Sequence, residues 1–162
     1  MNVNFAGKPV ELQGAHLAAG MKAPDFTAVK NDLSPFRLGD VAGRKLVVAV
    51  PSLDTPVCDL EARRFNAEAA GVPGTTVIVV SMDLPFAQAR WCGAAGADKL
   101  VTVSDYKDRD FAFKYGVYLP NVGLLARAVF LLDAGNVVRY VEYVPEVTSH
   151  PDYPAALAAL KA

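Results

Sequence analysis

A chain of 162 residues is long enough for one domain that buries roughly 70% of its unfolded surface without staples, and 1–162 reads as a single domain. With 52% hydrophobic and 20% charged residues it has a globular composition, and a net charge of −1 without a basic cluster gives no electrostatic case for nucleic acid or an anionic membrane. The N-terminus lacks the cationic start and apolar core of a secretory signal, and no apolar run approaches the ~20 residues that span a bilayer, so a cytoplasmic, reducing setting is expected.

Residues 2–13 read as a short hairpin: Val3 and Phe5 alternate, Ala6-Gly7-Lys8-Pro9 turns, and Val10 and Leu12 alternate back. Ala23-Pro24-Asp25-Phe26 then leads into an extended segment and a loop near Asn31–Pro35. An apolar strand at 46–50 gives way to a helix over 58–70, where Ala62, Phe65 and Ala69 share one face and Gly71 and Pro73-Gly74 end the run. The stretch 75–82 is almost continuously apolar, as expected of a strand covered on both faces. A helix follows near 85–95, with Pro85 suited to its first turn and Phe86, Trp91 and Cys92 along it. A short strand at 100–103, a helix at 108–115, strands at 126–132 and 136–143 about the turn Asp133–Asn136, and a last helix at 153–161 complete the series. Strands that alternate with helices and then pair as a closing hairpin predict a thioredoxin-like α/β fold, a three-layer sandwich with a central mixed sheet and an N-terminal β-hairpin.

Cys58 follows the strand at 46–50 and stands at the mouth of the next helix, where an exposed, activated thiol is expected. A sulfur in a first helical turn meets unsatisfied N–H groups and the positive end of the helix dipole, both of which favour thiolate over thiol. Lowering a thiol pKa from about 8.5 to about 6 enriches thiolate at neutral pH only about thirtyfold, worth ~2 kcal/mol. A thiol that cleaves peroxide therefore also needs preorganised donors along the line of the breaking O–O bond. Arg127, read as lying inside the apolar strand 124–132, is the candidate donor: a thiolate from another element would answer its charge, or else its head extends into water. Thr55 lies three residues before Cys58, where its hydroxyl can face the sulfur or what the sulfur attacks; the plainer alternative is a helix N-cap. Pro51 and Pro56 stiffen the loop, and Pro51 can shield the sulfur from water.

Cys92 reads either as an inert, buried cysteine or, paired with Cys58 across an intervening strand, as a second thiol that captures a sulfenic acid as a disulfide. Two cysteines in separate helices lie too far apart to bond directly, so disulfide formation requires both helices to unwind in part. Zinc is not supported, because two cysteines with His16 and His150 show no ligand spacing. There is no Cys-x-x-Cys and no phosphate-cradling glycine loop.

With Pro51-x-x-x-Thr55-x-x-Cys58 and Arg127, the chain resembles the peroxiredoxins, and among them the bacterial thiol peroxidase (Tpx) group of atypical two-cysteine type. The likeness extends through Phe5–Val10, Arg63-Arg64-Phe65-Asn66, Ser81–Gly93, Ala126-Arg127-Ala128 and Pro151–Leu157; the segment Gly116–Gly123 is a few residues shorter than the group's pattern. The resemblance implies Cys58 as peroxidatic and Cys92 as resolving cysteine, joined by an intrasubunit disulfide. It gives Thr55 and Arg127 catalytic and substrate-binding roles and Pro51 a shielding role. It further implies a hydroperoxide substrate, thioredoxin as reductant, a homodimer, and no metal or organic cofactor. A thiol redox sensor or disulfide relay, and a binding module with inert cysteines, are the alternatives.

Overall fold

The computed structural model describes residues 1–97 and 99–162. Strands β1 (Asn2–Phe5) and β2 (Lys8–Glu11) form the expected N-terminal hairpin. Ala6 and Gly7 take φ of 51° and 80°, the twist of a two-residue hairpin turn, so Lys8 and Pro9 belong to the strand and not to the turn. The extended segment that follows is a paired one: β3 (Thr27–Lys30) and β4 (Pro35–Arg37) are antiparallel neighbours. Next come β5 (Arg44–Ala49), α1 (Pro56–Glu68), β6 (Thr75–Ser81), α2 (Pro85–Ala95), β7 (Leu100–Ser104) and α3 (Asp110–Lys114). The last elements are β8 (Tyr118–Leu119), β9 (Leu124–Leu125), β10 (Ala128–Leu132), β11 (Val138–Tyr143) and α4 (Tyr153–Lys161).

The central sheet runs β11-β10-β5-β6-β7-β3-β4, with β5, β6 and β7 parallel and the other neighbours antiparallel, the expected mixed sheet. Alternation along its inner strands sorts side chains into two cores. Leu46, Val48, Val77, Val79, Val129 and Leu131 face the layer of Ala62, Phe65, Trp91, Tyr153 and Leu160. Val47, Ala49, Ile78, Val80 and Phe130 face Phe26, Phe111 and Tyr115, where the Phe26–Phe111 and Phe111–Tyr115 ring centroids lie 4.8 and 4.5 Å apart. Each such side chain contributes about 1.5–3 kcal/mol by leaving water, which is why the sheet is rigid enough to carry a site at its edge.

Helix α3 is shorter than expected. Arg109 before it is left-handed, with φ 54°, and the buried carboxylate of Asp105 accepts the N–H groups of Phe111 and Ala112 at 3.0 and 2.9 Å. Burial pushes the Asp105 carboxyl up to about 6 against the pull of those bonds. Arg127 lies between β9 and β10, not inside the strand. Because Ala128 pairs with Ala49, Arg127 arrives beside the C-terminal end of β5, where the loop to α1 begins. The loops after β5 and β6 leave from the same edge of the parallel strands, the edge at which open α/β sheets build ligand sites.

The N-terminal segment reaches this edge through a close backbone crossing. Gly14 has φ 109°, and a Cβ there would come within 2.5 Å of the Phe113 carbonyl oxygen. Gly14→Ala should therefore cost at least about 1–3 kcal/mol, read as a fall in the urea midpoint at unchanged slope. An unshifted midpoint would mean that this crossing relaxes freely.

Candidate active site

Helix α1 begins two residues earlier than the periodicity suggests, with Pro56 in its first turn, so Cys58 is already helical. Its first backbone bond runs from Asp59 N–H to the Thr55 carbonyl at 3.0 Å. The N–H groups of Val57 and Cys58, ahead of that bond, belong to the part of a helix that has no intrahelical acceptor. The residue is not exposed as expected: Cys58 is 0% accessible and packs in one apolar cluster with Val50 and Leu53.

Arg127 Nη2 donates to Cys58 Sγ at 3.1 Å. The same guanidinium, 2% exposed, donates from Nε to the Val147 carbonyl at 2.9 Å and from Nη1 to Glu61 Oε2 in a short ion pair. Cys58 and Glu61 are three residues apart on α1, so one helical face presents both acceptors to one cation. From sequence, Arg127 has either a thiolate partner or water. It is buried, and its side-chain partners are the sulfur and a second acid, Glu61, that no sequence pattern marks.

Glu61 is fully buried and its Oε1 has no hydrogen-bond partner among the described residues. Burial pushes its carboxyl up to about 7, and the charge of Arg127 limits that rise. For Arg127, burial opposes the charge, but Glu61 and Cys58 outweigh it and hold the guanidinium above its ordinary value.

A cavity of about 240 Å³ opens over this cluster. Pro51, Ser52, Thr55, Pro56 and Val57 form one wall, Phe5, Leu124, Val147 and Thr148 the other, and Arg127 reaches the floor. Thr55 holds the N-cap position without capping through its side chain. Its hydroxyl donates to the Ser52 carbonyl at 2.9 Å, which leaves its lone pairs free as acceptors. The loop is tied to the end of β6 by Asp83, whose carboxylate accepts Ser52 Oγ–H at 2.6 Å, Leu53 N–H at 2.8 Å and Ser81 Oγ–H at 2.8 Å. Sequence reasoning did not single out Asp83, although it lies in the matched Ser81–Gly93 block.

Pro51, Thr55, Cys58 and Arg127 thus meet in one place, and Cys92 stands apart. Its half-buried sulfur lies 3.3 Å from Thr102 Oγ1, which donates to Asn31 Oδ1 at 3.0 Å. Both cysteines are free thiols. Among the described residues, no group of three or more His, Cys, Asp or Glu side chains could hold a metal ion.

The site is thus a buried cysteine held by a buried arginine beneath a small apolar cavity. Residues 18–159 match the family model described as Redoxin. The chain belongs to the redoxin family, in the thiol peroxidase group of peroxiredoxins. It is 50% identical to the thiol peroxidase of Halalkalibacterium halodurans over 162 residues, 99% of this chain and 98% of the relative. The crystal structure of a peroxiredoxin-like protein from Aquifex aeolicus superposes with a TM-score of 0.93 at 42% identity, covering 99% of this chain and 95% of that one. Thiol peroxidase from Chromobacterium violaceum gives 0.91 at 26% identity, covering 99% and 95%. Likeness of this extent makes the chain a thiol-dependent peroxidase, and the reading as an inert binding module falls.

The raised Glu61 carboxyl has a definite sign in stability. The folded state holds this proton more tightly than the unfolded chain, so its contribution is fully present below about pH 4.5 and is lost as pH rises through about 7. Glu61→Gln should remove that descent, at most about 3 kcal/mol, in urea midpoints taken across this window. An identical slope in the two proteins would mean that Glu61 does not carry it. Asp83→Ala should slow oxidation of Cys58 by about tenfold or more in stopped flow, because the loop wall loses its tether; an unchanged rate would show that the loop positions itself.

Proposed function

We propose that this chain reduces hydrogen peroxide and alkyl hydroperoxides with Cys58 as the attacking sulfur. The Cys58 thiolate attacks the nearer peroxide oxygen, an S–O bond forms as the O–O bond breaks, and the departing oxygen takes a proton to leave as alcohol or water. Cys58 becomes a sulfenic acid. Charge passes along the S–O–O line, and the Arg127 guanidinium is fixed beside one end of that line. The observation that carries the reading is this 3.1 Å bond in a fully buried setting, where a charged donor acts without competition from water.

The remaining roles follow from chemistry. Thr55, its proton committed to Ser52, accepts the peroxide O–H and aligns the molecule. Pro51 offers no N–H and keeps water from the sulfur. The apolar walls suit the hydrocarbon part of an alkyl hydroperoxide. For the sulfur to be reached, the Pro51–Thr55 loop yields slightly as peroxide enters, since Cys58 itself is covered.

Cys92 serves as the resolving thiol. It attacks the sulfenic sulfur, an intrasubunit Cys58–Cys92 disulfide forms, and water leaves. An external thiol reductant, for which we propose thioredoxin, returns both cysteines to thiols. The chain has two cysteines and the disulfide uses both, so the electrons that reduce it come from another molecule. A homodimer and a cytoplasmic location complete the proposal, on the strength of the family resemblance. No helix among the described residues is long and apolar enough to cross a membrane.

Stopped-flow oxidation by hydrogen peroxide and by one alkyl hydroperoxide tests this reading. The parent should react orders of magnitude faster than a free thiol and turn over with thioredoxin. Cys58→Ser should lose nearly all activity, Arg127→Ala should slow oxidation by about 100-fold or more, and Cys92→Ser should give one rapid turnover and then stall. An unimpaired Arg127→Ala protein would remove the assigned role, and fast oxidation without thioredoxin turnover would favour a redox sensor.

A further inference from the structure

The two helices that carry the cysteines are joined by side-chain hydrogen bonds, and the proposed chemistry makes no use of the shortest of them. The indole Nε1–H of Trp91 donates to Asp59 Oδ1 at 2.7 Å. Asp59 directly follows Cys58 and Trp91 directly precedes Cys92, so the clasp binds the segments that must approach each other. Arg63, one turn along α1, donates from Nε to both Asp59 oxygens at 3.1 and 3.0 Å and keeps the carboxylate turned toward the indole. Its guanidinium lies 5.9 Å from the centre of the Trp91 ring, and its Nη1 reaches the Ala95 carbonyl at the end of α2 at 3.4 Å. The ring itself is 8% exposed, so the donor works against a largely dry neighbourhood.

Helical geometry sets the two side chains of α2 against each other. Consecutive residues on a helix point about 100° apart. With Trp91 turned to α1, Cys92 is turned to β7 and rests on Thr102, while Cys58 is turned to Arg127. A disulfide needs Cα atoms within ~7 Å and converging Cβ directions. Bringing Cys92 around to Cys58 rotates this part of α2 and carries the indole off Asp59. The clasp and the disulfide exclude one another.

We propose that Asp59 and Trp91 are positioning residues that hold the peroxide-reactive arrangement and set the rate at which the two sulfurs close. The inference rests on the reading of Cys92 as the resolving thiol. In that step the Cys92 sulfur, its proton removed, attacks the Cys58 sulfenic sulfur; the S–S bond forms, the S–O bond breaks, and the hydroxide accepts a proton and leaves as water. While the clasp holds, the sulfenic acid persists, and a second peroxide can oxidise it to the sulfinic acid. The clasp therefore also sets how much peroxide the protein survives.

The test uses the full chain with tert-butyl hydroperoxide. Samples are quenched by alkylation at millisecond intervals and the thiol, sulfenic, disulfide and sulfinic forms are counted by mass. Trp91→Phe keeps the ring and removes the donor; Asp59→Ala removes the acceptor. Each should close the disulfide about three- to tenfold faster than the parent and raise the dose needed for sulfinic acid, with Cys58 oxidation unchanged. The double variant should be no faster than either single, as expected of two ends of one bond. Arg64→Ala, which breaks the Arg64–Glu68 pair on the same helix, should leave closure unchanged and so exclude general weakening of α1. Closure unchanged or slowed in Asp59→Ala and Trp91→Phe, accelerations that multiply, or an equal gain in Arg64→Ala would overturn the proposal. A parent that forms no Cys58–Cys92 disulfide would overturn the resolving reading instead, and is seen before any variant is measured.

Discussion

A guanidinium with almost no access to water is the constraint around which this molecule is arranged. Taking such a charge out of water costs several kcal/mol unless its donors are met, and Arg127 is met three ways: by the Cys58 sulfur, by Glu61 and by the Val147 carbonyl. Only the first is consumed by the proposed chemistry. The other two fix the cation in place whatever state the sulfur is in, so the protein need not reorganise as charge moves from sulfur to oxygen. Preorganisation of this kind is what separates an activated thiol from one that is merely ionised.

The fold supplies that arrangement by bringing together short pieces of distant chain. Helix α1 offers the sulfur and the carboxylate from one face. The pairing of β10 with β5 delivers the arginine to the start of the loop between β5 and α1. Asp83, just past the end of β6, then draws that loop down through two hydrogen bonds and anchors itself to Ser81 by a third. Each part is held by a strand of the central sheet or by the helix that follows one, and the cavity is what remains between them.

Periodicity made the framework legible. The apolar run at β6, the one-sided stripe of α1 and the closing hairpin were read directly, because burial on a repeating face leaves a mark in a single segment. The pairing of β3 with β4, the tiny β8–β9 ladder and the short α3 left no such mark; they depend on partners elsewhere and on a left-handed Arg109. Cys58, Thr55, Pro51 and Arg127 could be named because their chemistry is unusual where they stand. Glu61 could not. An acid on a helix with Arg63 and Arg64 nearby looks like part of a solvated face, and only Arg127, 66 positions away, makes it a buried one. Asp83 escaped for the same reason, since its partners come from a loop that the sequence does not fold.

Trp91 is the chain's only tryptophan, and its indole sits at the seam between the helices that carry the two cysteines. Excited at the red edge of its absorption, where the six tyrosines do not absorb, the molecule emits from one fluorophore, reporting from beside Cys92 with a carboxylate at its N–H. Any rearrangement that separates the seam changes the polarity around that single ring. The catalytic cycle carries its own optical gauge, readable in unlabelled protein.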